Sequence, residues 1–244
     1  MSGRETLVKT VLSSQPIYHM TAFPVYKWLV QKIDRLRRSF LWRGETPYKV
    51  YGGHSLVNWP TTCRAKEKGG LGILDLEQFA RALRLRWLWF QWKHKERVWN
   101  RLDLPCNWCD RDLFAASTVV TIGDGKTALF WTSSWIEGSS PKSLALTLFQ
   151  KAKRKKITVK TAMQDNRWIS HILTIQTPQE IKEYVALWER VQEIRLQENI
   201  EDNIHWRWTP DGEYTTKSEY KIQFEGSFTR LKLTPIWKAG AEPK

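Results

Sequence analysis

Residues 71–99 read LGILDLEQFARALRLRWLWFQWKHKERVW and form the longest amphipathic pattern in the first half of the chain. Asp75 is suited to cap a helix, because its carboxylate can accept a bond from an unpaired N–H of the first turn. Basic residues flank the pattern on both sides. The stretch therefore predicts a central helix over 75–99 with a strongly positive surface and one apolar stripe, formed by Leu76, Phe79, Ala80, Leu83, Trp87 and Phe90.

Further helices are predicted on both sides of this element. Residues 2–14 and 25–43 show helical periodicity, and Gly44 is placed to end the second of these helices. Thr177-Pro178-Gln179-Glu180 has the pattern of a capping box with proline at the first helical position. Its predicted apolar stripe contains Ile181, Tyr184, Val185, Trp188 and Val191. A last short helix is expected at 216–224, whereas 101–117 is expected to be irregular.

The remaining regular structure is predicted to consist of short strands. One hairpin is expected over 119–131 around Gly123-Asp124-Gly125, and a second over 204–215 around Pro210-Asp211-Gly212. A further short strand is expected at 54–59. The predicted fold is therefore mainly α, an α-rich α+β chain with two small hairpins and no large sheet.

The charge distribution indicates a polyanionic partner. The chain has a net charge of +14, and residues 1–100 hold 18 Lys and Arg against 7 Asp and Glu, a net of +11. Residues 151–176 hold 7 against 1, a net of +6. Such basic blocks bind polyanions by releasing counterions from phosphates. The alternative is a basic surface that serves solubility alone.

Basic side chains on predicted helices and loops are the candidate contacts with a nucleic-acid backbone. The run 151–156 is suited to phosphate binding or nuclear localisation, although its cations could also stabilise a helix C-terminus. Most of the 15 Trp residues are expected to pack in the core, and a few to stack on bases. The predicted contact residues are Arg35, Arg37, Arg38, Lys66, Lys68, Arg81, Arg84, Arg86, Lys153, Arg154, Lys155 and Lys156.

The sequence offers no set of residues for catalysis or for a cofactor. Two-metal polymerases need clustered carboxylates, and the chain has no adjacent Asp pair; Asp110 and Asp112 are interpreted as surface residues. Cys106-x-x-Cys109 has zinc-ligand spacing but lacks two further ligands, and Cys63 lacks a base partner. Gly123-Asp124-Gly125-Lys126 resembles a phosphate loop only in part. We therefore expect no catalytic residue, no bound metal and no cofactor.

Cysteine content and hydropathy limit the expected location. Three Cys and no secretory signal argue against a disulfide scaffold. There is no run of 18 or more apolar residues, so no membrane span is expected. The expected location is nuclear or cytoplasmic.

Several motifs, taken in order, resemble plant LINE-type (non-LTR) retrotransposon reverse transcriptases. Residues 3–20, GRETLVKTVLSSQPIYHM, are similar to the segment after the polymerase active site, and KIDRLRRSFLW at 32–42 to the next helix. LVNWPTTCRAKEKGGLGILDL at 56–76 is similar to the most recognisable block of that family. Residues 120–135 resemble a glycine-containing hairpin of that family. Residues 206–222, and then IWKA at 236–239, resemble the entry to the reverse transcriptase zinc-binding domain.

This resemblance implies a division of the chain and a function. It implies a thumb-like helical segment at 1–45, a connection with the central helix at 46–117, a hairpin and helical segment at 118–203, and a truncated zinc-binding domain at 204–244. A thumb holds the template–primer duplex by its backbone. The family's catalytic carboxylates would lie upstream of Met1 and its zinc ligands after Lys244, so missing polymerase domains are expected partners.

Two interpretations from different classes remain open at this point. The first is a non-catalytic reverse transcriptase fragment that binds the nucleic-acid backbone through basic helices. The second is a protein-interaction or structural module, domesticated or a pseudogene fragment, without nucleic-acid affinity. In the second interpretation, the helix at 178–198 would be the surface that contacts a partner protein. Salt dependence of binding distinguishes the two.

Overall fold

The computed structural model describes residues 2–23, 25–44, 57–98 and 102–225. It is 55% helical and contains a two-stranded antiparallel sheet and no large sheet, which confirms the prediction of a mainly α fold. The described residues form two compact units. Unit 1 comprises those within 1–87, 102–106 and 215–244, and unit 2 those within 88–101 and 107–214. The four-segment division implied by the resemblance stays a prediction.

Unit 1 is built from helices around two apolar clusters. Val8, Leu41, Trp59 and Ile73 belong to the first cluster. Met20, Val30, Leu76, Ala80 and Leu83 form the second. The helices are α1 (Ser2–Leu7), continued by a π-helical turn (Val8–Leu12), α2 (Ile17–Ala22), α3 (Lys27–Arg43), α4 (Trp59–Cys63), a 3₁₀ turn (Lys66–Lys68) and α12 (Thr216–Ile222).

The ends of α3 and α4 follow from local chemistry. Gly44 has a φ of 76°, and its N–H donates to the Phe40 carbonyl, so α3 ends at a left-handed C-cap as predicted. Asn58 caps α4 by accepting a bond from the backbone N–H of Thr61, with Pro60 in the first turn. Trp59 is therefore helical. The rest of the strand predicted at 54–59 lies mainly outside the described residues.

The central helix, α5 (Leu76–Lys93), begins as predicted but ends earlier and is more deeply buried. The backbone N–H groups of Glu77 and Gln78 donate to the Asp75 carboxylate over 3.0 and 3.1 Å, which confirms the cap. From Gln78 to Trp92 every side chain is buried or half-buried. The prediction of a single apolar stripe with an exposed basic surface is wrong, because Ala82, Leu85, Leu88 and Trp89 are buried as well. A helix that is apolar on most sides is enclosed by its neighbours.

Unit 2 contains the sheet, and its pairing corrects both predicted hairpins. β1 (Thr118–Thr121) pairs antiparallel with β2 (Asn203–Trp206), so that Thr118 lies opposite Trp206 and Thr121 opposite Asn203. Residues 122–131 form bends and turns rather than a second strand, and 213–215 are not a strand. Local turn residues predicted local pairing, but the ladder joins segments about eighty residues apart. The turn at 209–212 does form, through a bond from the Gly212 N–H to the Thr209 carbonyl.

The helices of unit 2 include one that the sequence analysis missed. Residues 101–117 are not irregular, because Asn107 and Asp110 form a reciprocal capping box at the start of α6 (Trp108–Ser117). Asp110 is fully buried, so its interpretation as a surface residue is wrong. The Asn-x-x-Asp spacing was the available signal. The other helices are α7 (Pro141–Leu144), α8 (Leu146–Lys151), α9 (Val159–Met163), a 3₁₀ turn (Gln164–Asn166), α10 (Arg167–Ser170) and α11 (Pro178–Gln192).

The start of α11 is as predicted, but its buried face differs from the predicted stripe. The Thr177 hydroxyl accepts a bond from the Glu180 N–H, and the Glu180 carboxylate accepts the N–H of Thr177. Leu187 and Val191 are buried, whereas Ile181 and Val185 are exposed. The aromatic core of unit 2 has Trp168 stacked on Phe130 with ring centroids 5.5 Å apart. Trp131, Trp168 and Trp206 are almost fully buried, as expected of packing anchors.

A carboxylate of the same chain fills the glycine-rich loop at 123–128. The Asp202 side chain accepts hydrogen bonds from the backbone N–H groups of Gly123, Gly125, Thr127 and Ala128 over 2.8–2.9 Å. A Cβ at residue 123 would lie 2.1 Å from the Ile200 carbonyl oxygen, so the loop requires glycine there. The similarity of Gly-Asp-Gly-Lys to a phosphate loop thus has a physical basis, since its amides do cradle an anion.

Candidate nucleic-acid interface

Four consecutive cations form an exposed turn in unit 2, named here the basic loop: Lys153, Arg154, Lys155 and Lys156. Buried residues at its two ends, Ala152 and Ile157, hold the loop in place. The Lys153 N–H donates to the His171 carbonyl over 2.8 Å, and the Ile157 carbonyl accepts from the Phe130 N–H over 2.8 Å. The backbone of the loop is therefore fixed while its side chains face solvent.

The cations of the basic loop are not neutralised by carboxylates within the described part of the chain. Lys155 Nζ lies 4.9 Å from the centroid of the Phe149 ring, and Lys142 Nζ lies 5.5 Å from the same ring. Lys142 is itself paired with Asp112. The side chains line a surface depression together with Thr158 and Thr161. This arrangement offers several positive groups at once to a polyanion.

Lys151, the residue before this loop, has a different role. Its Nζ lies 2.8 Å from Glu180 Oε1 and donates to the Thr174 carbonyl over 3.1 Å. The backbone N–H of Gln176, the Lys151 ammonium and the Thr177 N–H together lower the pKa of Glu180 to about 2. Lys151 thus stabilises the start of α11, so the predicted basic run contains one structural cation and four exposed ones.

The pKa of His171, which lies beside the basic loop, responds to the positive charges there. Partial burial of the ring, and then the positive charges of Arg154, Arg167 and Lys153, lower the pKa of His171 below its usual value. The charges that lower this pKa come from two residues of the basic loop and from Arg167 on α10. Arg167 was not among the predicted contacts, and neither was Lys142. They join the basic loop through folding and not through sequence spacing, so no sequence signal could have found them.

The predicted residues on α3 divide into a surface pair and a buried one. Arg35 and Arg38 are exposed, as the prediction requires. Arg37 is fully buried, and its guanidinium donates to Asp34 Oδ1 over 2.6 Å and to Ser13 Oγ over 2.8 Å. The prediction that Arg37 lies on the contact surface is therefore wrong, because its charge is already satisfied inside unit 1. Lys27 and Lys32 are also exposed on this helix, as helical spacing predicts, although they were not among the predicted contacts.

The remaining predicted contacts are less accessible to a ligand than Arg35 and Arg38, because they are half-buried or close to a carboxylate. Lys66 is exposed and lies 3.8 Å from Glu5, whereas Lys68 is half-buried and donates to the Phe224 carbonyl over 3.0 Å. Arg81, Arg84 and Arg86 on α5 are each half-buried and take part in contacts within the protein. Their half-burial corrects the prediction that they stand on an open helix face.

The three cysteines lie in different environments. Burial raises the pKa of the Cys63 thiol, which keeps it protonated. Cys106 is half-buried and donates to the Arg84 carbonyl, and Cys109 is exposed. Within the described ranges, no group of three or more His, Cys, Asp or Glu side chains could hold a metal ion. The helices in those same ranges are all too short or too polar to cross a membrane.

Comparison with known proteins finds relatives in a plant. An Arabidopsis thaliana protein provisionally named as a ribonuclease H protein is 26% identical over 250 residues, covering 91% of this chain and 38% of that relative. An uncharacterized mitochondrial protein of the same plant is 27% identical over 150 residues, covering 52% of this chain and 95% of the relative. The chain thus spans little more than a third of the first relative. No family model and no solved structure matches it.

Proposed function

We propose that this chain is a non-catalytic part of a plant retrotransposon reverse transcriptase protein and binds the phosphate backbone of nucleic acid. The basic loop carries this proposal, because its four consecutive exposed cations have no carboxylate partner among the described residues. They lie near His171 and Arg167, of which Arg167 pairs with Asp165 over 3.8 Å. The plant relatives support an origin in a plant transposon-derived protein. The order of the sequence motifs supports the finer assignment to a LINE-type element.

The proposed partner is a nucleic-acid duplex, and the polymerase domains of the resembled family are proposed as further partners. Phosphate contacts position a protein on nucleic acid without reading its sequence, which suits lysine and arginine side chains on a fixed turn. The proposed location is nuclear or cytoplasmic. The chain is proposed to lack polymerase activity of its own, because it contains no adjacent Asp pair.

Salt-dependent binding tests the proposal. A fluorescent DNA duplex of about 20 base pairs is titrated at several salt concentrations, and log K falls by about 0.9 unit per log unit of salt for each phosphate neutralised. The quadruple variant Lys153→Gln/Arg154→Gln/Lys155→Gln/Lys156→Gln should flatten this slope by two or more units, on the order of one unit per lost contact. The matched control removes the same charge from four exposed cations elsewhere: Lys182, Arg190, Arg195 and Lys217. An equal effect of both variants, or no binding by the parent chain, would contradict the proposal.

The non-catalytic assignment has its own assay. The purified chain should not extend a primed RNA or DNA template with Mg²⁺ or Mn²⁺. Extension above a no-protein control that persists through further purification would show that the chain carries chemistry of its own.

A further inference from the structure

Four aromatic side chains are exposed where α2 meets α3 in unit 1. Tyr18 is 81% exposed, Phe23 64%, Tyr26 72% and Trp28 55%. Aromatic rings are normally among the largest contributors of buried area, so four exposed rings within eleven residues require explanation. Phe23, Tyr26 and Trp28 lie within a chain length of about 17 Å, which is a spacing that several stacked bases can follow.

Cations accompany these rings on the exposed side of α3. Trp28, Lys32 and Arg35 are four and seven residues apart and so lie on one stripe of the helix. Lys32 Nζ lies 5.0 Å from the centroid of the Trp28 ring. Asp34, the acidic residue of α3, is half-buried and is paired with the buried Arg37. The exposed stripe is therefore aromatic and positive, with no carboxylate among the described side chains that line it.

The combination of exposed rings and cations fits an unpaired nucleic-acid strand better than an apolar protein surface or a membrane. A helix that lies in a membrane interface keeps its apolar residues on one face and its cations on the other. On α3 the face containing Val30 packs into the core with Met20 and Leu83. The exposed stripe carries one ring, Trp28, on the same face as two cations, and Leu29 and Leu36 of the same helix are only slightly more than a third exposed. Rings stack on bases while neighbouring cations contact phosphates, which is the composition of a binding site for unpaired strands.

We infer that this aromatic face, defined as Tyr18, Phe23, Tyr26, Trp28, Lys32 and Arg35, binds single-stranded nucleic acid by stacking unpaired bases on its rings. The inference rests on the proposed function, because it names the form of strand that the chain binds. In a template–primer complex, the unpaired strand next to the duplex has this chemistry. The basic loop contacts phosphates of any strand, whereas the aromatic face requires bases that are free to stack.

The test compares a single strand, whose bases are free to stack, with a duplex and with a polyanion that has no bases. The variant Phe23→Leu/Tyr26→Leu/Trp28→Leu keeps the charge and removes the rings. Its affinity for an oligothymidylate of about 20 nucleotides should fall at least about tenfold at roughly 0.3 M salt, where phosphate attraction is weakened. Its affinity for inorganic polyphosphate and its salt slope on duplex should not change. Trp108→Leu, which removes a 75% exposed ring from unit 2, is the matched control and should bind as the parent does.

Each other result contradicts the inference. If the triple variant binds oligothymidylate as the parent does, the rings are not stacking platforms, although salt-dependent duplex binding would still support the proposed function. An equal loss for polyphosphate, in a variant whose circular dichroism and thermal unfolding match those of the parent, would mean that the face acts through charge and not through stacking. If the rings instead govern binding to anionic lipid vesicles, the face is a membrane contact. A parent chain that binds neither strand form would overturn both proposals.

Discussion

The guanidinium of Arg37 donates a 2.5 Å hydrogen bond to the carbonyl oxygen of Leu74, the residue that precedes the cap of the central helix. The same guanidinium binds Asp34 and Ser13 and lies 5.2 Å from the Trp59 ring centroid. One buried side chain thus joins α3 to the segment after the π-helical turn and to the entry of α5. Arg37 therefore serves the folding of unit 1 and not the binding of a ligand.

Replacing Arg37 should destabilise the protein far more than replacing the exposed Arg35. Arg37→Met leaves the half-buried Asp34 carboxylate without its partner, and breaking a buried ion pair costs about 3–5 kcal/mol of unfolding free energy. Arg35→Met removes the same charge from the same helix at an exposed position and should change that free energy by about 0.5 kcal/mol or less. Urea unfolding monitored by circular dichroism measures both. Equal effects would show that the interior network does not stabilise unit 1.

Position on the helix already contained the signal for Arg37. It lies seven residues after Val30 and four before Leu41, and both are buried, so the apolar stripe passes through Arg37. Its assignment to the surface followed instead from a predicted apolar stripe that included Trp28, Leu29 and Leu36, and these three side chains are exposed. The caps at Asp75 and Thr177 were predictable, because a cap depends on residues within one helical turn. The pairing of β1 with β2 was not predictable, since no local pattern at 118–121 identifies a partner strand at 203–206.

The candidate interface, like the fold, could be predicted from the sequence only where local residues determine it. A run of four cations in a loop is exposed for local reasons, so the basic loop follows directly from the sequence. Arg167 joins it only through the packing of α10, and the half-burial of Arg81 and Arg84 depends on the elements that surround α5. Local charge therefore identified the loop, whereas tertiary packing decided which helical arginines remain available.

The capping box of α11 should make the protein sensitive to acid. The pKa of Glu180 is lowered to about 2 by backbone N–H groups and Lys151, from an ordinary value of 4.5. The ionised carboxylate therefore stabilises the folded state fully above pH 4.5, and this stabilisation is lost as pH falls towards 2. Glu180→Gln, which can still complete a capping box, should show a smaller loss of unfolding free energy between pH 5 and 3 than the parent. Glu189→Gln, at an exposed position on the same helix, should keep the acid dependence of the parent; a parental dependence in Glu180→Gln would contradict the prediction.

Nucleic-acid binding should strengthen as pH falls through the range in which His171 titrates. Partial burial and neighbouring cations lower the pKa of His171 in the free protein. A bound phosphate offsets those cations and raises this pKa, so binding takes up a proton and affinity increases at acid pH. Without nucleic acid, acid pH instead weakens the protein. The folded state disfavours protonated His171, so the unfolding free energy decreases as pH falls below 6.5, the ordinary pKa of histidine. His171→Asn should remove the pH dependence of duplex affinity between pH 7.5 and 5.5, whereas His205→Asn, an exposed site on β2, should not; the reverse result would exclude His171.

The carboxylate of Asp202 should be essential to the loop at 123–128. Its two oxygens accept four backbone N–H groups, from Gly123, Gly125, Thr127 and Ala128. Asp202→Asn turns one oxygen into an amide donor, which leaves two largely buried N–H groups without an acceptor. At about 1–3 kcal/mol for each unsatisfied group, the unfolding free energy should fall by about 2–6 kcal/mol.

Hydrogen exchange makes this last prediction specific to the loop. In Asp202→Asn the four loop amides should exchange faster than in the parent, and by a larger factor than the amides of α11, because their acceptor has been removed directly. Glu201→Gln changes the neighbouring exposed carboxylate, whose pair with Lys95 over 3.0 Å lies at the surface. It should alter the unfolding free energy by about 1 kcal/mol or less and leave the loop amides protected. Uniformly faster exchange across unit 2 in Asp202→Asn would mean that the residue stabilises the unit as a whole, and unchanged exchange would mean that the anion cradle is not a stabilising feature.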